Sequence, residues 1–124
     1  MSDADKKILI VEDSKSYLFI LSETFKAEGF TVFTAENGED GLEAIKNNKP
    51  DLILLDITMP KMDGLTMSKK VKESGINTPI IFLTNMSDLK HVSEGMETAK
   101  DYIVKADTSV ENIVVKVKER LSVG

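Results

Sequence analysis

Cysteine is absent from this chain of 124 residues, so neither a disulfide nor a thiolate metal site can form. The sequence also has no run of about 18 apolar residues of the kind that spans a membrane as a helix. No secretory signal pattern is visible. These absences favour a cytoplasmic protein without membrane insertion.

The sequence has no excess of basic charge. Its 16 lysines and arginines stand against 21 aspartates and glutamates, which gives a formal net charge of −5. This balance argues against non-specific binding to nucleic acid or to an anionic membrane, so we expect no direct nucleic acid partner. The length fits a single domain over residues 1–124, with residues 1–6 as a polar, flexible tail.

Short apolar runs alternate with amphipathic segments along the chain. The runs predict buried strands over about residues 7–11, 31–35, 52–56, 79–84 and 101–104. The segments between them predict helices over about residues 14–28, 37–47, 64–73 and 88–98. A last helix is predicted where Thr108 and Glu111 can form a capping box. Five β-then-α units predict an α/β fold whose parallel sheet carries helices on both faces.

Polar side chains stand where these predicted strands end. Glu12 and Asp13 follow the first strand, and Asp56 ends the third, after four consecutive apolar residues. Thr84 ends the fourth strand and Lys105 follows the fifth. Because the carboxyl ends of parallel strands share one edge of the sheet, we expect these five side chains to converge there.

The convergence of these residue types indicates phosphoryl chemistry assisted by a metal. Three close carboxylates repel one another unless a cation neutralises them, and hard oxygen ligands suit Mg²⁺. Asp56 can act as a nucleophile towards phosphorus. Lys105 and Thr84 can stabilise a developing phosphoryl charge. No general base for water is apparent, because the only histidine, His91, falls within a predicted helix.

A more specific pattern surrounds the third strand end. Asp56 is followed by Met59-Pro60 and then by Met62-Asp63-Gly64. Together with Glu12-Asp13, Thr84 and the segment from Asp101 to Lys105, this ordered set resembles the receiver domain of bacterial two-component response regulators over essentially the whole chain. The resemblance implies a flavodoxin-like, doubly wound, five-stranded parallel sheet of strand order 2-1-3-4-5 with five helices.

The resemblance also implies a role for each residue at the sheet edge. Asp56 would be the phosphoacceptor, and Lys105 would contact the phosphoryl group. Asp13 and Asp56 would bind Mg²⁺ directly. Glu12 would reach the ion through water, and Thr58 would contribute its backbone carbonyl.

Two further residues would carry the signal away from the phosphoryl group. Thr84 would move towards the aspartyl phosphate, and Tyr102 would turn inward as it does so. The changed surface would be the helix 4–strand 5–helix 5 face, made by the predicted helix over residues 88–98, the fifth predicted strand and the last predicted helix. A downstream protein partner would bind there. The resemblance implies a histidine kinase or a histidine phosphotransfer protein as phosphoryl donor. The chain would assist its own phosphorylation and dephosphorylation without being an enzyme for another substrate.

Several positions depart from the usual receiver pattern, and two of them are next to predicted site residues. The family usually has proline after the lysine, where this chain has Ala106, and a small residue is common where Asn85 stands. Neither departure removes a residue to which the resemblance assigns a role.

Three other functions compete with the phosphoacceptor. A receiver-fold adaptor that works without phosphorylation is the main alternative, but the intact acid cluster argues against it. A phosphatase of the haloacid dehalogenase class needs a second aspartate two residues after the nucleophile, where this chain has Thr58. A flavodoxin is disfavoured, because acids after the first strand would repel a flavin phosphate.

Overall fold

A computed structural model describes residues 6–57, 59, 62–84 and 102–121 of the chain. The described strands are β1 (Lys7–Val11), β2 (Thr31–Ala35), β3 (Leu52–Asp56), β4 (Ile80–Thr84) and β5 (Tyr102–Val104). The described helices are α1 (Lys15–Ala27), α2 (Gly38–Asn48), α3 (Gly64–Glu73) and the C-terminal helix α4 (Val110–Leu121). The predicted helix over residues 88–98 lies outside the described residues, as does Thr58.

All five strands run parallel in one sheet of order β2-β1-β3-β4-β5, which confirms the predicted flavodoxin-like order. β1 lies between β2 and β3, so the chain moves outward in one direction from β1 to β2 and in the other from β3 to β5. That reversal creates a crevice at the carboxyl ends of β1 and β3.

Two apolar cores lie on opposite faces of the sheet, because successive strand residues point to opposite sides. In β1, Ile8 and Ile10 belong to one core, and Leu9 and Val11 belong to the other. The first core is closed by α1 and α4 and the second by α2 and α3. None of the helices in the described part of the chain is long and apolar enough to cross a membrane.

The start of α4 differs from the prediction. A 3₁₀ turn (Lys105–Asp107) follows β5, and the Thr108 N–H donates to the Lys105 carbonyl at 3.5 Å. Thr108 therefore closes that turn, and the helix is capped by Ser109, whose Oγ accepts from the Asn112 N–H at 3.1 Å. The predicted capping box of Thr108 and Glu111 was wrong, because the unforeseen turn moves the helix start by one residue.

Gly64 brings the first turn of α3 against the end of β3. Its N–H donates to the Ile57 carbonyl at 2.8 Å. A Cβ at Gly64 would lie 2.2 Å from the Asp56 carbonyl oxygen, well inside van der Waals contact. Only glycine allows this approach, and the approach holds the backbone that carries Asp56.

Replacing Gly64 by alanine is expected to reduce the free energy of unfolding by about 3 kcal/mol, since the new methyl group overlaps backbone atoms that cannot yield cheaply. Gly75→Ala is the matched control. Gly75 has a φ of 81° but open space where the Cβ would stand, so only backbone strain of about 1–2 kcal/mol is expected. Urea denaturation of both variants measures the difference, and equal losses would contradict the predicted clash.

Candidate functional site

The carboxyl ends of the strands bring the predicted side chains to one edge of the sheet. Val11 of β1 pairs with Leu55 of β3, so Glu12 and Asp56 extend side by side from neighbouring strands. Asp56 in turn pairs with Leu83 of β4, and Thr84 is the next residue along. Parallel pairing therefore creates the convergence that the sequence predicted.

Lys105 lies between two of the carboxylates. Its Nζ is 2.6 Å from Oε1 of Glu12 and 3.4 Å from Oδ1 of Asp56. The lysine side chain is 18% exposed, whereas both acids are almost fully buried. Sequence reasoning placed Lys105 beside Asp56 but did not foresee that its shorter ion pair is with Glu12.

Glu12 is held at both of its oxygens. Oε1 faces the Lys105 ammonium, and Oε2 accepts from the Ser14 N–H at 2.9 Å. Ser14 is the N-cap of α1, and its Oγ accepts from the Tyr17 N–H at 3.5 Å. The glutamate therefore receives an N–H at the positive end of α1 as well as the ammonium, which explains how a buried carboxylate is tolerated.

Asp56 is the group that this environment perturbs most. Burial raises its pKa to about 8, and the negative charge of Glu12 adds to the rise, while Lys105 opposes it. The neighbouring Asp13 also raises it, through a side-chain hydrogen bond and its charge. Without a further cation, one ammonium does not offset the cost of ionising a third acid at this edge.

The pKa of the Lys105 ammonium is raised as well, which favours its charged form. Burial works to lower its pKa, but the hydrogen bond to Glu12 and the charge of Asp56 outweigh that effect, so the pKa is raised. Lys105 therefore stays cationic at neutral pH and remains available to an anionic group on Asp56.

A divalent cation fits the acid cluster. Glu12, Asp13 and Asp56 each offer a carboxylate oxygen, and these oxygens lie within 4.8 Å of one another. Asp13 is exposed, which leaves one side of the cluster open to solvent. Oδ1 of Asp56 is buried, and the Lys105 ammonium lies 3.4 Å from it. Oxygen ligands with an open side are the donor set that Mg²⁺ uses while keeping several waters.

Sequence reasoning missed Tyr17. Its ring lies beside the Lys105 ammonium, with Nζ 5.1 Å from the ring centroid. Burial raises the pKa of the Tyr17 phenol, so the ring is neutral at physiological pH. A signal was present in the sequence: Tyr17 falls in the first turn of the helix that begins directly after the acid pair.

Thr84 and Tyr102, the two residues assigned to the conformational switch, both lie within the part of the chain that the structure describes. Thr84 ends β4 and is fully buried, and it pairs with Val104 of β5. Tyr102 begins β5, two residues before Val104, and is half-buried against the core on the α2–α3 face of the sheet. Both therefore stand on the strand pair next to Asp56.

Known proteins resemble this chain at the level of sequence. The family model described as a response regulator receiver domain matches residues 8–118. The transcriptional regulatory protein DltR of Streptococcus agalactiae is 43% identical over 100 residues, which are 80% of this chain and 45% of DltR. Sporulation initiation phosphotransferase F of Bacillus subtilis is 37% identical over 93 residues, 75% of each chain. This chain spans about half the length of DltR and of two other curated regulators that it matches, and three quarters of phosphotransferase F.

Solved structures show the same fold. A chain in the crystal structure of the CheX-CheY-BeF3-Mg+2 complex from Borrelia burgdorferi superposes with a TM-score of 0.80 at 31% sequence identity. The match covers 92% of this chain and 87% of that one.

The raised pKa of Asp56 predicts that the protein loses stability as pH rises in metal-free buffer. An unfolded aspartate releases its proton near pH 4, whereas folded Asp56 holds it until about pH 8, so the folded state binds more protons across that window. The free energy of unfolding should therefore fall between about pH 4 and about pH 8 through this group. Asp56→Asn cannot ionise and should gain stability over wild type as pH rises. Urea denaturation with chelator measures this, and a pH-independent difference would contradict it.

Proposed function

Because this chain belongs to the response regulator receiver domain family, a family of phosphoacceptor signalling domains, we propose that Asp56 accepts the phosphoryl group. The observation that supports this is the burial of the Asp56 carboxylate beside one lysine and two further acids. Asp56 loses its proton to solvent, which a cation bound at the acid cluster would favour, and the resulting carboxylate attacks phosphorus through one oxygen while the bond from phosphorus to the donor breaks. The product is an aspartyl phosphate.

Lys105 is proposed to hold the transferred group. Its ammonium already stands 3.4 Å from Oδ1 of Asp56 and carries a raised pKa, so it enters the reaction charged. A phosphoryl group on Asp56 brings additional negative oxygens to that ammonium. The lysine then exchanges part of its contact with Glu12 for a charge-assisted hydrogen bond to the phosphoryl group.

Asp13 and Asp56 are proposed to bind Mg²⁺ directly. Glu12 already has one oxygen against Lys105 and the other on the Ser14 N–H, which favours its contact through water. Thr58 is proposed to add its backbone carbonyl and lies outside the described residues. When bound, the ion supplies positive charge that offsets the acids and the incoming phosphoryl group. The CheX-CheY-BeF3-Mg+2 complex from Borrelia burgdorferi, which includes Mg+2, supports this assignment by similarity.

Thr84 and Tyr102 are proposed to transmit the change. A phosphoryl oxygen can accept a hydrogen bond from the Thr84 hydroxyl, which draws this residue towards Asp56. Packed interiors tolerate a vacated volume poorly, so half-buried Tyr102 moves inward to fill it. Phosphorylation biases an equilibrium that exists beforehand. The altered surface includes β5 and α4, together with residues 88–98, which lie outside the described residues.

The partners follow from this role. We propose a histidine kinase or a histidine phosphotransfer protein as donor, a downstream protein as reader of the altered surface, and the cytoplasm as location. Family membership supports each of these.

The proposed acceptor predicts covalent labelling at one carboxylate. Incubation with acetyl phosphate and Mg²⁺ should add one phosphoryl group, measured by intact mass, and Asp56→Asn should abolish the addition. Asp51→Asn is the matched control, because Asp51 precedes the same strand at the opposite edge of the sheet. Asp13→Ala or excess chelator should also prevent labelling while the fold persists.

Labelling that persists undiminished in Asp56→Asn would mean that another residue accepts the group. A wild-type chain that takes up no phosphoryl group from acetyl phosphate or from a histidine kinase would favour the phosphorylation-independent adaptor instead.

The proposed switch predicts that some variants accept the phosphoryl group on Asp56 but no longer show the conformational response at Tyr102. Lys105→Ala and Thr84→Ala should each still accept phosphoryl on Asp56 to some extent, because neither side chain is the nucleophile. Both should lose the change in Tyr102 chemical shifts that phosphorylation causes in wild type. Thr84→Ser keeps the hydroxyl and should retain the response. An unaltered Tyr102 response in both alanine variants would show that the signal leaves Asp56 by another route.

A further inference from the structure

We propose that Tyr17 is a positioning residue for Lys105, holding its ammonium over the acceptor edge through the face of its ring. This proposal rests on the phosphoacceptor role proposed for Asp56. Tyr17 lies in α1 and is neither a member of the acid cluster nor one of the two switch residues.

Three groups surround the ammonium among the described residues. Glu12 and Asp56 attract it as carboxylates at 2.6 Å and 3.4 Å, and the Tyr17 ring centroid lies 5.1 Å from it. A cation within about 6 Å of an aromatic centroid is attracted by the ring quadrupole, more strongly where water is excluded. With the lysine side chain only 18% exposed, the ring replaces water that would otherwise solvate the ammonium.

The backbone beneath Lys105 gives the side chain little support. β5 has three residues and pairs with β4 alone in the described sheet. Lys105 itself opens the 3₁₀ turn, whose closing hydrogen bond from Thr108 is long, at 3.5 Å. Ala106 and Asp107 are exposed, so packing against the described residues gives these two positions little support. The position of the ammonium must therefore come from contacts at the far end of the side chain.

Tyr17, by contrast, is held by packing against the core, although its backbone hydrogen bond to Ser14 is as long as that of Thr108, at 3.5 Å. It lies in the first turn of α1 and packs against the core closed by α1 and α4. Its N–H donates to Ser14 Oγ, and the Ser14 N–H donates to Glu12. Since Glu12 pairs with Lys105, the contacts form a closed circuit of Glu12, Ser14, Tyr17 and Lys105. A displacement of the ring would thus disturb the lysine directly and through the glutamate.

The ring, and not the hydroxyl, carries this role. The Tyr17 hydroxyl oxygen is buried and has no hydrogen-bond partner among the described residues. Removing this hydroxyl breaks no hydrogen bond to a described residue and relieves a desolvation cost. Phenylalanine at this position would therefore keep the contact with Lys105.

A ring face suits a lysine that must change partners. A hydrogen bond to Glu12 is directional, whereas the attraction of a cation to a ring acts over the whole face. The ammonium can therefore shift from Glu12 towards a phosphoryl group on Asp56 while it stays over Tyr17. Without the ring, the freed lysine would extend into solvent for part of the time and meet the incoming group less often.

The test compares Tyr17→Leu, which keeps an apolar side chain but loses the ring face, with Tyr17→Phe, which keeps that face. The rate of Asp56 labelling by acetyl phosphate with Mg²⁺ should fall about fivefold in Tyr17→Leu, as expected for loss of one partly desolvated cation–π contact. The conservative Tyr17→Phe should restore the wild-type rate. In a Lys105→Ala background, Tyr17→Leu should have no further effect, because the two residues act as a pair.

A spectroscopic readout separates positioning from simple core packing. Ring-current shifts of the methylene protons next to the Lys105 ammonium should be present in wild type and Tyr17→Phe and absent in Tyr17→Leu. A rate loss of equal size in both lysine backgrounds, or an unchanged rate in Tyr17→Leu, would overturn the proposal for Tyr17. Failure of wild type itself to be labelled would instead count against the function proposed for Asp56.

Discussion

One electrostatic problem governs this structure: three carboxylates meet at the carboxyl edge of a buried sheet, and among the described residues one ammonium stands between them. Lys105 pairs with Glu12 and Asp56, but its charge does not compensate for all three acids, and the pKa of Asp56 rises to about 8 as a result. An arrangement that is costly for a resting protein is well suited to receive a cation and then an anionic group. Charge imbalance is therefore the source of the proposed function.

The apolar sheet makes that imbalance possible. Strands β1 and β3 are buried along nearly their whole length, so their register is set by side chains that face two cores. The register leaves Glu12 and Asp56 at the same level of the edge. Gly64 then brings α3 against the Asp56 carbonyl, which restricts the backbone that carries the acceptor. Rigid packing below the edge holds like charges together against their repulsion.

The same lysine connects the resting and the phosphorylated states. In the structure its shortest contact is with Glu12, and in the proposed reaction it turns towards the phosphoryl group on Asp56. Such an exchange needs support that does not depend on either carboxylate. The Tyr17 ring is placed to give that support, and its link to Glu12 through Ser14 joins α1 to β1 and to the loop after β5.

The sequence by itself determined the five strands, the helices α1 to α3 within a residue or two, and the carboxyl-edge residues Glu12, Asp13, Asp56, Thr84 and Lys105. Each of these depends on local periodicity and on the fact that parallel strands end at one edge. The start of α4 was misjudged, because Thr108 and Ser109 are equally good caps locally and the 3₁₀ turn before them selects Ser109. Only the tertiary structure decided that Lys105 lies closest to Glu12 and that Tyr17 faces the ammonium. Those contacts join residues far apart in the chain, and their distances follow from how the helices pack on the sheet.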